Sequence, residues 1–450
     1  MAADDSSKRP VPTPARRVGR HTRLDSYVDR YATRTNGMAA SEIRALFSVA
    51  SRPEVVSLAG GMPSIDGLPL AGVADSVSRL LSTHGGTALQ YGSGQGDPLL
   101  REQICTVMAL EGIQAHPDDV VVTVGSQQGL DLVTRIFCDP GDTVVCEAPS
   151  YVGALGVFRA FECGVVHVEM DDAGLVPEAL RHALAGAAAR GAPVKFVYSV
   201  PTYHNPAGVT LTAQRRAEVL DICAEHDVLL VEDNPYGLLG FAGEPMRAMR
   251  ADEPERVVYL GSFSKTFAPG LRVGWVLAPH AVREKLVLAQ ESATLCPPTF
   301  SQAVVSTYFA EHDWHGQIKA FREVYRERRD AMLAALDEHL PGAARWTRPD
   351  GGFYVWLTLP AGLDAKAMLP RAVTARVAYV PGTAFYADGL GSRHLRLSYC
   401  YPSPERIREG VRRFAGVLAA ELELRATFGA ALPGGGTGRH TYEIPGPDQS

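Results

Sequence analysis

The sequence is poor in the features that mark several large classes of protein. No stretch approaches the roughly eighteen uninterrupted apolar residues that a membrane-crossing helix needs. Its seven cysteines run from Cys105 to Cys400, are odd in number and include no CxxC pair. That excludes a disulfide framework or zinc ribbon and favours reduced thiols in a cytoplasmic setting. The histidines show no ligand spacing, so no metal is expected. Positive charge is not in excess, and a net charge of −6 argues against nucleic acid as the main partner. The first residues hold no apolar core of a secretory leader, and no repeat at a solenoid period is visible.

What is present is a chain of 450 residues, 46% apolar and 21% charged, as in ordinary globular proteins with two or three folding units. Residues 1–23, with Pro10, Pro12 and Pro14, read as a flexible tail, as do 428–450 with Gly434-Gly435-Gly436. Between them, 24–70 is expected to pack with a small domain, 71–320 to form a large domain and 321–427 to form the small α+β domain.

Short β-rich runs alternate with helical stretches through the middle of the chain. They are Val120 to Val124, Thr143 to Cys146, Val194 to Val200, Val228 to Val231 and Val257 to Leu260. Near-continuous apolar strands separated by helices describe an α/β fold with a mostly parallel sheet covered on both faces. Later, Gly352 to Leu359 and Arg393 to Tyr399 read as strands, and a helix follows Ser403-Pro404. Parallel sheets bind ligands at the carboxyl ends of their strands. The residues just after each run are therefore the informative ones.

After the first run, Gly125-Ser126-Gln127-Gln128-Gly129 opens a helix. The exposed N–H groups of a helix start and a hydroxyl can cradle a phosphate, although an ordinary cap on Ser126 would look the same. After the second comes Tyr151, a ring for stacking on a planar ligand or for the core. After the third, Asn205 precedes a proline, which keeps it off the helix and lets its amide meet a ligand or close an Asx-turn. The fourth run ends in Asp233-Asn234-Pro235-Tyr236. A carboxylate there needs a cation or donor to meet, such as a protonated heteroaromatic nitrogen or a structural ion-pair partner. The fifth ends in Ser262-Phe263-Ser264-Lys265, with Arg272 seven residues on. Arg272 and Ser262 can hold a phosphate, and a desolvated Lys265 can form a Schiff base. A planar, phosphorylated pyridine aldehyde would use every one of these groups.

Taken together, these motifs resemble the fold-type I pyridoxal-phosphate-dependent class I/II aminotransferases, from about Ser41 to Leu418. The segments Leu58 to Pro63, Leu89 to Gly92 and Gly125 to Gln128 resemble the 2-aminoadipate/kynurenine aminotransferase subgroup. The resemblance implies a three-layer large domain around a mostly parallel seven-stranded sheet, with a smaller α+β domain. It implies pyridoxal 5'-phosphate as cofactor, amino-group transfer from an L-amino acid to a 2-oxo acid such as 2-oxoglutarate, and a homodimer. It also implies that Lys265 links the cofactor and shuttles the proton, Asp233 keeps the ring nitrogen protonated and Tyr151 stacks on the ring. Asn205 and Tyr236 would bond its phenolic oxygen, and Ser126, Gln127, Ser262, Ser264 and Arg272 would surround its phosphate. Tyr91 would reach in from a partner subunit. Arg396 would clamp the substrate carboxylate with Asn205 and the Gly61 backbone, and Arg44 would meet an acidic side chain. Ala207 departs from the threonine many relatives carry.

Gly92 to Gly96 looks like a dinucleotide fingerprint, but no strand precedes it and Asp97-Pro98 starts a helix. A regulator with this domain behind a DNA-binding module is disfavoured, because only about forty residues precede the matching segment. Another reaction of the same cofactor, such as decarboxylation or elimination, stays open at this level.

Overall fold

The computed structural model describes residues 27–37, 52–65 and 67–429. The tail read at 1–23 and the position of Arg44 lie outside these residues. So does all of 428–450 except the last two residues of a helix spanning Pro404–Gly429.

In chain order the strands are β1 (Val56–Ser57), β2 (Val120–Thr123), β3 (Thr143–Ala148), β4 (Gly164–Asp171) and β5 (Gly174–Leu175). Next come β6 (Val194–Ser199), β7 (Leu229–Asp233), β8 (Val257–Ser262) and β9 (Gly274–Leu277). The later strands are β10 (Arg345–Trp346), β11 (Tyr354–Thr358), β12 (Val377–Ala378), β13 (Val380–Pro381) and β14 (His394–Ser398).

The large sheet runs β2-β9-β8-β7-β6-β3-β4, with two-residue β5 turning back along the edge of β4. Strands β3, β4, β6, β7 and β8 are parallel; β9 runs against both β2 and β8. Hence β2, β3, β6, β7 and β8 all end at one edge. Successive side chains on a strand point to opposite faces, and both faces here are apolar. Val121, Val144, Phe196, Val231 and Val258 meet Leu130, Val133 and Phe158 on one side. Val145, Val197, Leu230 and Val257 meet Leu180, Leu184, Val219 and Ile222 on the other. Two apolar faces force helices onto both, which makes the three layers.

The smaller antiparallel sheet runs β10-β11-β14-β13. It shares a core with the helices Trp314–His339 and Pro404–Gly429 through Met332, Leu336, Leu357, Leu397, Val411 and Phe414. The segment before the large sheet joins this unit: Val56 and Ser57 of β1 pair with Val377 and Ala378 of β12. The loop after Ser57 is thereby laid beside β14, where Ser398 N donates to Leu58 O at 2.8 Å. Among the described residues no helix is long and apolar enough to cross a membrane, and no cluster of His, Cys, Asp and Glu could hold a metal ion.

Candidate active site

The shared strand edge opens into a cavity of about 400 Å³ lined by Ser126, Gln127, Tyr151, Asn205, Asp233, Tyr236, Ser262, Ser264, Lys265 and Arg272, closed by Gly61, Tyr354 and Arg396. Five strand ends of one sheet, two strands of the other and the segment after β1 converge there.

Past β2 the helix Ser126–Phe137 is capped by Gly125, with no side-chain bond at the cap. Ser126 is therefore not the capping residue, and its hydroxyl is left to the cavity. Gly125 has φ +75°, and a Cβ there would collide with Nη2 of Arg272. Glycine thus allows both the left-handed turn and the close approach of the guanidinium. Arg272 itself is left-handed at φ 55°, a conformation costing about 1–2 kcal/mol in a non-glycine residue. Its guanidinium donates to Val124 O at 3.2 Å and Ser264 Oγ at 3.3 Å. Ser262 Oγ in turn accepts from Ser264 N at 3.0 Å. A helix start, three hydroxyls and an exposed guanidinium make an anion cradle. At its rim, Tyr151 donates to Gln127 Oε1 at 3.2 Å.

Asp233 ends β7 and is 5% exposed. Tyr198 donates to its Oδ2 at 2.7 Å, whereas Oδ1 is buried without a partner. Burial, with the nearby charge of Glu147, pushes its pKa up to about 6. Lys265 follows β8, and its Nζ donates to Gly61 O at 3.1 Å. Desolvation brings its pKa down to about 8, so a useful fraction is neutral amine near neutral pH.

Arg396, on β14, is 2% exposed and carries no counter-charge among the described carboxylates. Its Nη1 donates to Asn205 Oδ1 at 2.9 Å and its Nη2 to Ala59 O at 2.8 Å, while Nε has no partner. The guanidinium lies between the rings of Tyr354 (4.2 Å) and Phe385 (5.1 Å). Asn205 Nδ2 reaches the Tyr236 hydroxyl at 3.5 Å, which reaches the Tyr354 hydroxyl at 3.5 Å. A buried cation without an anion is costly. This cavity therefore invites a carboxylate at one end and a larger anion at the other, with an amine and an unpartnered carboxylate oxygen between.

Of the residues singled out in the sequence, one lies elsewhere and one is not among the described residues. Tyr91 is 77% exposed and lines a separate groove of about 650 Å³ with Leu80, Leu99 and Ala303. Arg44 is outside the described residues. Conversely, Tyr354, Phe385, Tyr198 and Glu147 were not anticipated. Glu147, at the end of β3, accepts from Ser199 Oγ at 2.6 Å and Val200 N at 2.9 Å, and lies 3.1 Å from His204 Nε2. It fastens the loop that carries Asn205. The rule that picks out Asp233, a carboxylate closing an apolar run, also applies to Glu147. The Gly92 to Gly96 loop leads into the helix Pro98–Ala109, whose cap is the Asp97 carboxylate accepting from Leu100 N at 2.9 Å.

Residues 53–414 match the family model described as aminotransferase class I and II. Over 400 residues the chain is 42% identical to aromatic-amino-acid aminotransferase 1 of Thermococcus litoralis, covering 88% of this chain and 96% of that protein. It is 37% identical to the 2-aminoadipate transaminase of Thermus thermophilus, covering 89% and 99%. Among solved structures, kynurenine aminotransferase of Pyrococcus horikoshii, crystallised with PMP, superposes with a TM-score of 0.85 at 39% identity, covering 89% of this chain and all of that one.

Proposed function

The chain belongs to the class I and II aminotransferase family and is an enzyme of amino-group transfer, and from that membership we propose that its cavity holds pyridoxal 5'-phosphate and uses it by ping-pong chemistry. The observation that carries this reading is the meeting, in one cavity, of a desolvated lysine amine, an unpartnered buried carboxylate oxygen and an anion cradle. The donor set fits the cofactor: Asp233 Oδ1 lacks the one bond a protonated ring nitrogen would supply. When bound, the cofactor supplies an aldehyde and a pyridinium ring that delocalises the electron pair left when an α-proton departs.

The chain's own residues do the rest. Asp233, ionised above pH about 6, would hold a proton on the ring nitrogen through its unpartnered oxygen. Tyr151 would cover the ring face, while Asn205 and Tyr236 would bond its phenolic oxygen. Ser126, Gln127, Ser262, Ser264 and Arg272 bind the phosphate. Arg396 takes the substrate α-carboxylate in a two-pronged contact, with Asn205 and the Gly61 backbone beside it. Lys265 Nζ takes the α-proton and returns it.

Uptake of the cofactor should report the state of Lys265. Only the neutral amine is a nucleophile, so the uptake rate of apoprotein should rise about tenfold per pH unit below about 8 and level off above it. Stopped-flow absorbance checks this; a rate flat from pH 6 to 9 would contradict the role.

The relatives named for aromatic amino acids, 2-aminoadipate and kynurenine support a broad choice of donor, with 2-oxoglutarate as acceptor. Arg44 would favour an acidic side chain. A homodimer would complete each site with Tyr91, whose exposed ring sits among exposed Leu89 and Leu99. The deciding experiment is a panel of amino donors against 2-oxoglutarate and pyruvate, run on protein whose visible absorbance shows the cofactor. Protein that stays colourless with the cofactor, or that moves no amino group onto either acceptor, would refute the reading.

A further inference from the structure

Outside the cavity lining lies a buried carboxylate that the chemistry above does not use. We propose that Glu111 is a positioning residue that clamps the turn carrying Asp233 and Tyr236, and that its grip changes with its protonation. This rests on the cofactor assignment above.

Glu111 follows the helix Pro98–Ala109 and is 3% exposed. Its carboxylate accepts from the Tyr259 hydroxyl of β8 at 2.6 Å and from Asn234 Nδ2 at 2.7 Å. Asn234 is the neighbour of Asp233. Further along the same turn, a Cβ on Gly237 would collide with Glu111 Oε1, so only glycine lets the carboxylate so close. The turn Asp233-Asn234-Pro235-Tyr236-Gly237 is thus bonded to Glu111 at Asn234, next to Asp233, and packed closely against it at Gly237, next to Tyr236.

Charged and titratable groups face Glu111 from each neighbouring element. Glu232 of β7 repels it, Arg216 of the helix Ala213–Glu225 attracts it at longer range, Tyr259 donates from β8, and Tyr203 lies within its field. No arginine or lysine among the described residues forms an ion pair with it. Burial wins over these partners and pushes its pKa up to about 7. Both protonation states can be accommodated, by different bonds. The ionised carboxylate accepts from Asn234 Nδ2. Asn234 Oδ1 is buried without a partner, so when Glu111 is protonated a half-turn of that amide lets Oδ1 accept the new O–H. The proton therefore changes the hydrogen bonding of the residue next to Asp233.

The test uses the holoenzyme with Glu111→Gln, which imitates the protonated form, and Glu111→Ala, which removes the clamp. The dissociation constant of pyridoxal 5'-phosphate is read from its visible absorbance between pH 5.5 and 8.5. Beyond the pH dependence that Asp233 (about 6) and Lys265 (about 8) give every variant, the wild-type chain should show a further inflection near pH 7 that Glu111→Gln lacks. Glu111→Ala should bind about tenfold more weakly at pH 8.5, the scale of one lost hydrogen bond to a charged group, and should also lack the inflection near pH 7. An inflection that persists in Glu111→Gln, or undiminished binding in Glu111→Ala, overturns the proposal.

Melting temperature gives a second reading that needs no cofactor. A carboxyl raised from 4.5 to about 7 on folding contributes stability below pH 4.5 that is lost as pH rises through 7. Glu111→Gln should therefore gain on the wild type, by about 3 °C or more between pH 5 and 8. A constant gap overturns the proposal. A wild-type protein that binds no cofactor would instead refute the function reading, and the melting comparison would still decide on Glu111.

Discussion

Replacing Lys265 with alanine is expected to lower kcat for amino-group transfer by about 10⁴-fold, the upper end of what a positioned acid–base group contributes. The geometry makes a substitute hard to find. Nζ is held against Gly61 O at 3.1 Å, and the other basic groups lining the cavity, Arg272 and Arg396, are guanidinium ions that stay protonated. A water in the vacated space could take the proton only as a much weaker base. The tyrosine hydroxyls nearby are pushed up in pKa by burial, Tyr151 to about 12, and are equally poor bases. The measurement is single-turnover transfer followed by absorbance, with ethylamine added in a parallel series. A small amine that enters the space left by the side chain should restore part of the rate. A variant retaining more than about a hundredth of wild-type turnover would remove Lys265 from proton transfer.

Arg396→Ala should lower kcat/KM by about 10²- to 10³-fold, with most of the loss in KM. Removing one partner of a buried charge-assisted contact costs about 2–5 kcal/mol, and each 1.4 kcal/mol is about tenfold. The side chain is 2% exposed and sits between two rings, so water cannot replace the missing donors. Arg396→Lys should recover only part of the loss. An ammonium is a point charge that cannot present two parallel donors or lie flat between Tyr354 and Phe385. Cofactor absorbance should be unchanged in both variants, because the anion cradle lies at the other end of the cavity. Steady-state kinetics with donor and acceptor varied separately checks the assignment. An unchanged KM for both substrates would refute it.

Much of this site was legible in the sequence because its parts follow apolar runs. Val120 to Val124 and Val257 to Leu260 are continuous enough to be read as buried strands, and β2 and β8 are there. β4 gave no comparable signal, since it lies near the sheet's edge and is largely half-buried. β9 is four residues long and returns antiparallel after the Lys265 loop; its run is too short to separate from that loop. Ser126, Asp233 and Lys265 could be picked out because polar residues at strand ends need an explanation. Tyr354 could not, since a tyrosine inside β11 looks like core until Arg396 is seen against its ring. Glu111 sits where a helix simply ends, and nothing local shows that it reaches Asn234, 123 positions on.

The aromatic sandwich around Arg396 has a consequence for how such a catalyst diversifies. Every 2-amino and 2-oxo acid carries the same carboxylate, so the proposed contact would give affinity without choice. Discrimination among metabolites has to come from groups touching the variable part of the molecule. Those groups can drift after gene duplication while the guanidinium, the lysine and the anion cradle stay fixed. In a scaffold built this way, a change of preference would require altering only its periphery.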